Sequence, residues 1–304
     1  MFNNILVPLD GSKLSEASLG PAAYLAQKLN SRVTLLHVIE QDAPAEIHRE
    51  PHLRKPEQAE AYLQETARRA FPSQVKVQTH VHTAPVSDVA RSVVEHATSE
   101  FQPDLIVTCT HGRGGMRDVL FGSIAQQIVA QGRTPLLLVK PGGPTFGLEK
   151  LLVPLDPDWI HDESLPVAGF LAHHFGCQLH LLCVIQTFST LAGEQAATGN
   201  LMPATVQALL ELKEENARRE LFAQLGRFRE SGLRASAEIA RGDAAFLIAR
   251  TAERYGADLL ILSTHRKAGM DAFWARSVAP KVAQRTRTPL LLIPILADRK
   301  DERP

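Results

Sequence analysis

The sequence has little of what would point to redox, membrane or nucleic-acid work. Its 3 cysteines, Cys109, Cys177 and Cys183, form no C-x-x-C pair. All three lie in or beside apolar runs, which predicts small buried hydrophobes in a reducing compartment; Cys109, beside a glycine-bearing loop, also reads as a reactive thiol. Neither sign of charge is in excess, because 33 basic residues balance 33 acidic ones, and this removes the electrostatic argument for a nucleic-acid or membrane-surface partner. No apolar run reaches the roughly 18 residues that a membrane-spanning helix needs. The start, Met1-Phe-Asn-Asn-Ile-Leu-Val-Pro-Leu-Asp10, is a strand pattern ending in an acid, without the basic start and small-residue cleavage site of a signal peptide. The expected location is the cytoplasm.

Chemical motifs are missing too. There is no G-x-x-x-x-G-K-[ST] phosphate loop. After the first strand stands Asp10-Gly-Ser-Lys13, not the Ser-Gly-Gly-x-Asp-Ser loop of an ATP pyrophosphatase or adenylating enzyme. No nucleophile, base and orienting group fall into a constellation, so no catalytic residue is assigned and no strong catalysis is expected. Histidines give no metal-ligand pattern: His80 and His82 share one side of a strand, but with no third ligand nearby they read as a wet strand face, and no metal residue is assigned. His173, His174 and His180 similarly lack ligand organisation.

What the sequence does have is repetition. Asn4-Ile-Leu-Val-Pro-Leu-Asp10 returns as Lys150-Leu-Leu-Val-Pro-Leu-Asp156, and the register holds without a gap to Leu36-His-Val-Ile39 against Leu182-Cys-Val-Ile185. Thr134-Pro-Leu-Leu-Leu-Val139 returns as Thr288-Pro-Leu-Leu-Leu-Ile293. The length of 304 residues agrees with two domains. The expected boundaries are 1–140 for the first copy, 141–149 for a linker containing Pro141-Gly-Gly-Pro144, 150–296 for the second copy and 297–304 for a polar tail.

Within the first copy short apolar runs alternate with helical patterns. Strands are expected at Ile5 to Leu9, Arg32 to Ile39, Gln74 to Val81, Leu105 to Thr108 and Leu136 to Val139. Helices are expected at Leu14 to Leu29, where Pro21 suggests a kink or a late start, and at Glu57 to Phe71, Val86 to Ala97 and Gly122 to Ala130. Gln41 to Pro56, with three prolines, reads as a loop. Strands separated by helices imply right-handed crossovers and a parallel sheet with helices on both faces. The second copy adds one long helix, Thr205 to Arg229, with Leu209, Leu212, Leu221, Leu225 and Phe228 on a stripe and the pairs Glu214/Arg218 and Glu215/Arg219 on a solvated side.

The organising stretch is Thr108-Cys-Thr-His-Gly-Arg-Gly-Gly-Met-Arg-Asp-Val-Leu-Phe-Gly-Ser123, a strand, a glycine-bearing loop and a helix start. Such a turn gathers free N–H groups and the positive end of a helix dipole, a natural place for an anion. Its copy has lost the glycines: Gly112 corresponds to Arg266 and Gly122 to Arg276, while Ser123 corresponds to Ser277. Whatever the first loop cradles, the second is not expected to hold, although Arg266 and Arg276 also read as an anion site of their own.

With these features in order and present twice, the chain resembles the universal stress protein A family in its tandem form. The resemblance implies two Rossmann-like α/β domains of the adenine nucleotide alpha hydrolase kind. Each has a five-stranded parallel sheet in order 3-2-1-4-5 with helices on both faces, and the two are joined through their fifth strands. Nucleotide-binding members carry G-x-x-G, nine residues, then G-[ST]; here those positions are Cys109, Gly112, Gly122 and Ser123 in the first copy, and Ser263, Arg266, Arg276 and Ser277 in the second. The implied ligand is an adenine nucleotide, ATP with or without Mg2+, in the first domain only. By this resemblance Asp10 hydrogen-bonds the adenosine moiety, Val38 offers main-chain groups to adenine, and Gly112, Gly122 and Ser123 hold phosphates, with Cys109, Pro8 and Ile124 completing the site. Asp10 also reads as a plain turn residue in Asp-Gly-Ser. Family members pair through the last strand, which here implies an intrachain pseudo-dimer and, beyond it, a homodimer. The competing reading is a nucleotide-free interaction scaffold of the stress response, its protein partner unknown.

Overall fold

The computed structural model describes residues 1–110, 123–131, 133–143, 145–157, 163–191, 197–198, 201–265 and 277–295. The chain divides into two compact units, one built on Met1–Gly147 together with the strand Leu290–Ile295 and the end of the strand Leu259–His265 from Thr264 on, the other on Leu148–Ser263 with Ser277–Thr288. The tail at 297–304 lies outside the described residues.

The first unit runs β1 (Asn4–Pro8), α1 (Leu19–Leu29), β2 (Arg32–Glu40), a two-rung hairpin of β3 (Glu46–Ile47) and β4 (Glu50–Pro51), α2 (Pro56–Ala70), β5 (Lys76–Val86), α3 (Val89–His96), β6 (Leu105–Cys109), α4 (Ser123–Gln131) and β7 (Leu136–Val139). Its long strands are parallel in the order β5-β2-β1-β6-β7, which is 3-2-1-4-5 counted along this copy. Representative registers are Val7 with Leu35, Ile5 with Leu105 and Val107 with Leu137. Ile5, Leu6, Val7, Leu105, Ile106 and Val107 are at most 1% exposed, so consecutive residues are buried whichever face they take. That is why these strands are unbroken apolar runs rather than alternating ones.

The second unit runs β8 (Lys150–Leu155), α5 (Ser164–Phe175), β9 (Gln178–Ile185), α6 (Pro203–Glu230), β10 (Ala235–Arg241), α7 (Ala244–Tyr255), β11 (Leu259–His265) and α8 (Val278–Arg285), with parallel strands in the order β10-β9-β8-β11. β12 (Leu290–Ile295), the last strand of the second repeat, lies in the first unit and pairs antiparallel with β7, Leu291 opposite Leu137. The two Leu-Leu-Leu strands therefore meet as expected, and the apolar edge of β7 is covered.

The repeat is visible in its fastenings. Asp104, ahead of β6, accepts from the N–H groups of Asn3 and Asn4 at 2.7 and 2.9 Å. Asp258, ahead of β11, accepts from Glu149 and Lys150, both at 2.8 Å. Each carboxylate ties the start of its strand to the start of the neighbour with charge-assisted bonds. Helix ends match as well: α1 stops at Asn30 with φ 55° and α5 at the corresponding Gly176 with φ 67°, the left-handed cap both residue types tolerate.

Some boundaries differ from the sequence reading. A 3-10 turn, Ser15–Ser18, precedes α1, so the helix begins late and Pro21 falls in its first turn, where the missing N–H costs nothing. β5 continues through Pro85 to Val86, and α3 starts only at Val89, its first turn capped by Asp88 accepting from Arg91 N–H at 3.0 Å. Proline is tolerated in β5 because that strand is at the sheet's edge. The supposed loop 41–56 contains the β3–β4 hairpin, turned by His48 and Arg49 at φ 53° and 68° without any glycine. On α6 the leucine stripe is split: Leu221 and Leu225 are buried, whereas Leu209 and Leu212 are exposed. Nor is its charged side simply solvated, since Glu214 is held by both Arg218 and Arg241, and Arg219 bonds Asn216.

Candidate functional site

In the first unit, β1, β2 and β6 end at one place. β1 stops at Pro8 while β2 runs on to Glu40, and a cavity of about 180 Å³ opens beyond the shorter strand. Pro8, Asp10, Val38 and Cys109 all line it. The reversal of strand order between β2 and β6 across β1 makes this the switch point where doubly wound sheets accept ligands. Of the other expected site residues, Gly112 and Gly122 lie outside the described residues, as do Arg266 and Arg276. Ser123 opens α4 and Ile124 follows it; their side chains are also outside the described set.

Asp10 is both a turn residue and a cavity residue. Its Oδ1 accepts from Ser12 N–H at 2.9 Å and from Ser12 Oγ at 2.7 Å, and the buried Ser12 hydroxyl in turn accepts from Ser15 N–H at 3.2 Å. The turn thus holds the carboxylate in place at the cavity wall. Between them Gly11 sits at φ +90°, and a Cβ there would meet Leu53 Cδ1 at 2.7 Å, so this glycine admits the following loop.

His37 fastens that loop. Its Nδ1 lies 2.8 Å from Leu9 O and its Nε2 3.2 Å from Leu53 O. Burial outweighs the two carbonyls and holds the imidazole below its ordinary value. A neutral ring has one N–H, so it donates to one of these two carbonyls at a time, Leu9 in one tautomer and Leu53 in the other. Val38 follows on the same strand. Leu36 O accepts from Leu9 N–H at 2.9 Å, and with a period of two the main-chain groups of Val38 point to that same edge, past the end of β1.

Two cavity residues escaped the sequence reading. His52 is 8% exposed, and its Nδ1 has no hydrogen-bond partner. Burial, the largest effect, again lowers it below its ordinary value. Gln127 Oε1, also buried, is unpartnered too. Gln127 follows Ser123 by one helical turn, a spacing that could have suggested it. His52 gave no such signal, because it reaches the cavity only through the β3–β4 hairpin.

Cys109 is a strand residue whose φ is not positive, so the missing first glycine of the motif costs no left-handed strain. Burial, then the nearby Asp10, push its thiol far up, which makes it a small hydrophobe and not a reactive thiol. Cys177 and Cys183 are buried as well. His180 hydrogen-bonds Ser236 at 2.8 Å and stacks on Tyr255. For His80 and His82 the expected lack of a third ligand does not hold: the end of α3 brings His96 and Glu100 to them.

The family model described as Universal stress protein family matches residues 1–140 and again 147–294. The chain belongs to the universal stress protein family. A universal stress protein of Methanocaldococcus jannaschii is 31% identical over 147 residues, covering 46% of this chain and 83% of that protein. The universal stress protein YxiE of Bacillus subtilis is 23% identical over 153 residues, 46% of this chain and all of that one (100%). Among solved structures, a putative universal stress protein from Pseudomonas aeruginosa superposes with a TM-score of 0.68 at 17% identity, over 96% of this chain and 93% of that one. That likeness supports the tandem universal stress fold. Among the described residues no helix is long and apolar enough to cross a membrane.

Proposed function

We propose that the first unit binds an adenine nucleotide, with ATP as the first candidate, and that this universal stress protein acts in the stress response through that binding rather than through strong catalysis. The observation that carries the reading is the pair of unpartnered buried polar atoms, His52 Nδ1 and Gln127 Oε1, in a cavity at the sheet's switch point. Buried polar atoms normally have partners, and a nucleoside supplies donors in its amino group and ribose hydroxyls.

In this reading the Asp10 carboxylate receives a ribose hydroxyl, Val38 presents main-chain groups to the base, and Pro8 and Cys109 form apolar wall. Gly112, Gly122 and Ser123 hold the phosphates, with Ile124 following on α4 and Mg2+ accompanying the phosphates where present. The second repeat, carrying Arg266 and Arg276 in the phosphate columns, serves as a structural partner.

The test is to denature the purified protein, assay the supernatant for released adenine nucleotide, and titrate emptied protein with ATP with and without magnesium. Saturable binding at one nucleotide per chain is expected. Neither release nor saturation would favour the nucleotide-free scaffold.

A further inference from the structure

A second cluster lies on the edge strand of the first unit, built from residues the nucleotide cavity does not use. The two-residue period of β5 sets His80 and His82 on one face. α3 ends at His96 and continues as a π-helical turn, Ala97–Phe101, that carries Glu100. Such turns recur at functional sites. His96 Nδ1 lies 2.8 Å from Glu100 Oε2, and His80 Nδ1 lies 3.7 Å from Glu100 Oε1. The far nitrogen of His96 lies 3.0 Å from His82 Nδ1. Phe101 backs the cluster, its ring centroid 5.1 Å from that of His80 and 5.9 Å from that of His96.

We propose that His80, His96 and Glu100 form a binding site for a divalent transition ion of the zinc class, with His82 as the residue that positions His96. One ligand atom from each of the three lies within 4.8 Å of the other two. Tetrahedral zinc with bonds of about 2.1 Å needs ligand atoms about 3.4 Å apart. The remaining contraction is small. Glu100, at 46% side-chain exposure, has the freedom to make it.

Two imidazoles and one carboxylate form a ligand set suited to zinc and its neighbours rather than to magnesium or calcium. Three protein ligands leave a fourth position for water, which the exposed side of Glu100 can admit. The contact of His96 with His82 has the form of an outer-shell bond. With His96 Nδ1 facing the ion, its Nε2–H donates to His82 Nδ1, which fixes ring and tautomer. Without an ion the same atoms form only a relay in which His82 donates to His96 and His96 donates to Glu100.

The experiment uses the full chain after chelator treatment and desalting, titrated with zinc chloride in a calorimeter. Cobalt substitution adds a spectroscopic readout of coordination. One zinc per chain with tetrahedral cobalt bands is expected. His80→Ala and Glu100→Gln should each weaken zinc affinity by about 100-fold, and His82→Gln by about 10-fold with stoichiometry unchanged, in line with outer-shell effects. His173→Ala, on an exposed helix end of the other unit, should bind as the parent does. Circular dichroism establishes that each variant is folded, and the cobalt spectrum of the parent keeps the test decisive if one variant is not. Absence of saturable zinc binding by the parent would overturn the proposal, as would parental affinity in both His80→Ala and Glu100→Gln.

Discussion

The two repeats share their frame and differ at the ends of their strands. Asp104 and Asp258 make the same pair of main-chain bonds in their respective units, and Asn30 and Gly176 end the same helix. Among the described residues the two differ just past the ends of β1 and β8. Asp10 is half-buried in a turn made by Gly11 and Ser12, whereas Asp156 is exposed and followed by Pro157. His37, which links Leu9 to the loop carrying Leu53, is replaced by Cys183, which has no ring to reach across. The first repeat then closes its loop with a hairpin, while the second passes through the short turn Phe188–Thr190 toward the 28-residue helix α6. A doubly wound sheet is thus preserved by its core and strand starts, and binding is gained or lost at its carboxyl ends.

The comparison can be broken first at its strongest shared element. Leu137→Lys together with Leu291→Lys places charge at two residues that are 1% and 2% exposed, facing each other across β7 and β12. We expect release of β12 and an expanded chain in solution scattering, since buried unpaired charge is among the costliest changes. Retained compactness would show that the strand pair is not what holds this end of the chain.

Next comes the staple. His37→Cys copies the second repeat and removes both carbonyl contacts; a loss of about 1–3 kcal/mol in urea unfolding is expected, with weakened ATP binding as the loop loosens. A smaller effect belongs to Gly11→Ala, which must hold a Cβ at φ +90° against Leu53. About 1–2 kcal/mol is expected from the backbone alone, whereas Pro157→Ala in the second repeat should leave ATP binding unchanged. Equal effects of these two changes on binding would erase the distinction between the repeats.

The smallest effect is on pH dependence. His37 and His52 are held below their ordinary value of 6.5 chiefly by burial. The folded chain therefore binds fewer protons than the unfolded chain below that value. Stability should be full above about pH 6.5 and fall as pH drops from there. His37→Cys removes one contribution, so its stability should decline less steeply between pH 7 and pH 5 in denaturant titrations. An unchanged slope would mean that His37 titrates alike in both states.

Much of this was legible in the sequence because it is carried by short-range pattern. Apolar runs such as Ile5 to Val7 and Leu136 to Val139 announced strands buried on both faces, and the recurrence of Val-Pro-Leu-Asp announced the repeat. The clustering of Pro8, Asp10, Val38 and Cys109 followed once strand order was given. What stayed hidden depends on how loops and helix ends return. His52 reaches the cavity through a hairpin turned by His48 and Arg49, a pair without the Asn-Gly or Asp-Gly signal of a two-residue hairpin turn. His96 and Glu100 meet His80 only because α3 ends where it does and folds back along β5. The pattern alone ends this strand at Val81, because Pro85 reads as a breaker unless the strand lies at an edge, and β5 runs on to Val86. Leu209 and Leu212 fit the helical stripe of α6, yet both are exposed, and period alone does not say where packing ends.

The central claim is that one half of this chain holds a nucleotide and its twin does not. The most direct measurement is an ATP titration of emptied protein and of Gly122→Arg, which installs in the first repeat the arginine found at position 276 in the second. The account predicts one site per chain in the parent and a loss of about 100-fold or more in affinity in the variant, about 3 kcal/mol, with the fold unchanged by circular dichroism. Two equivalent sites in the parent, or full affinity in Gly122→Arg, would contradict it.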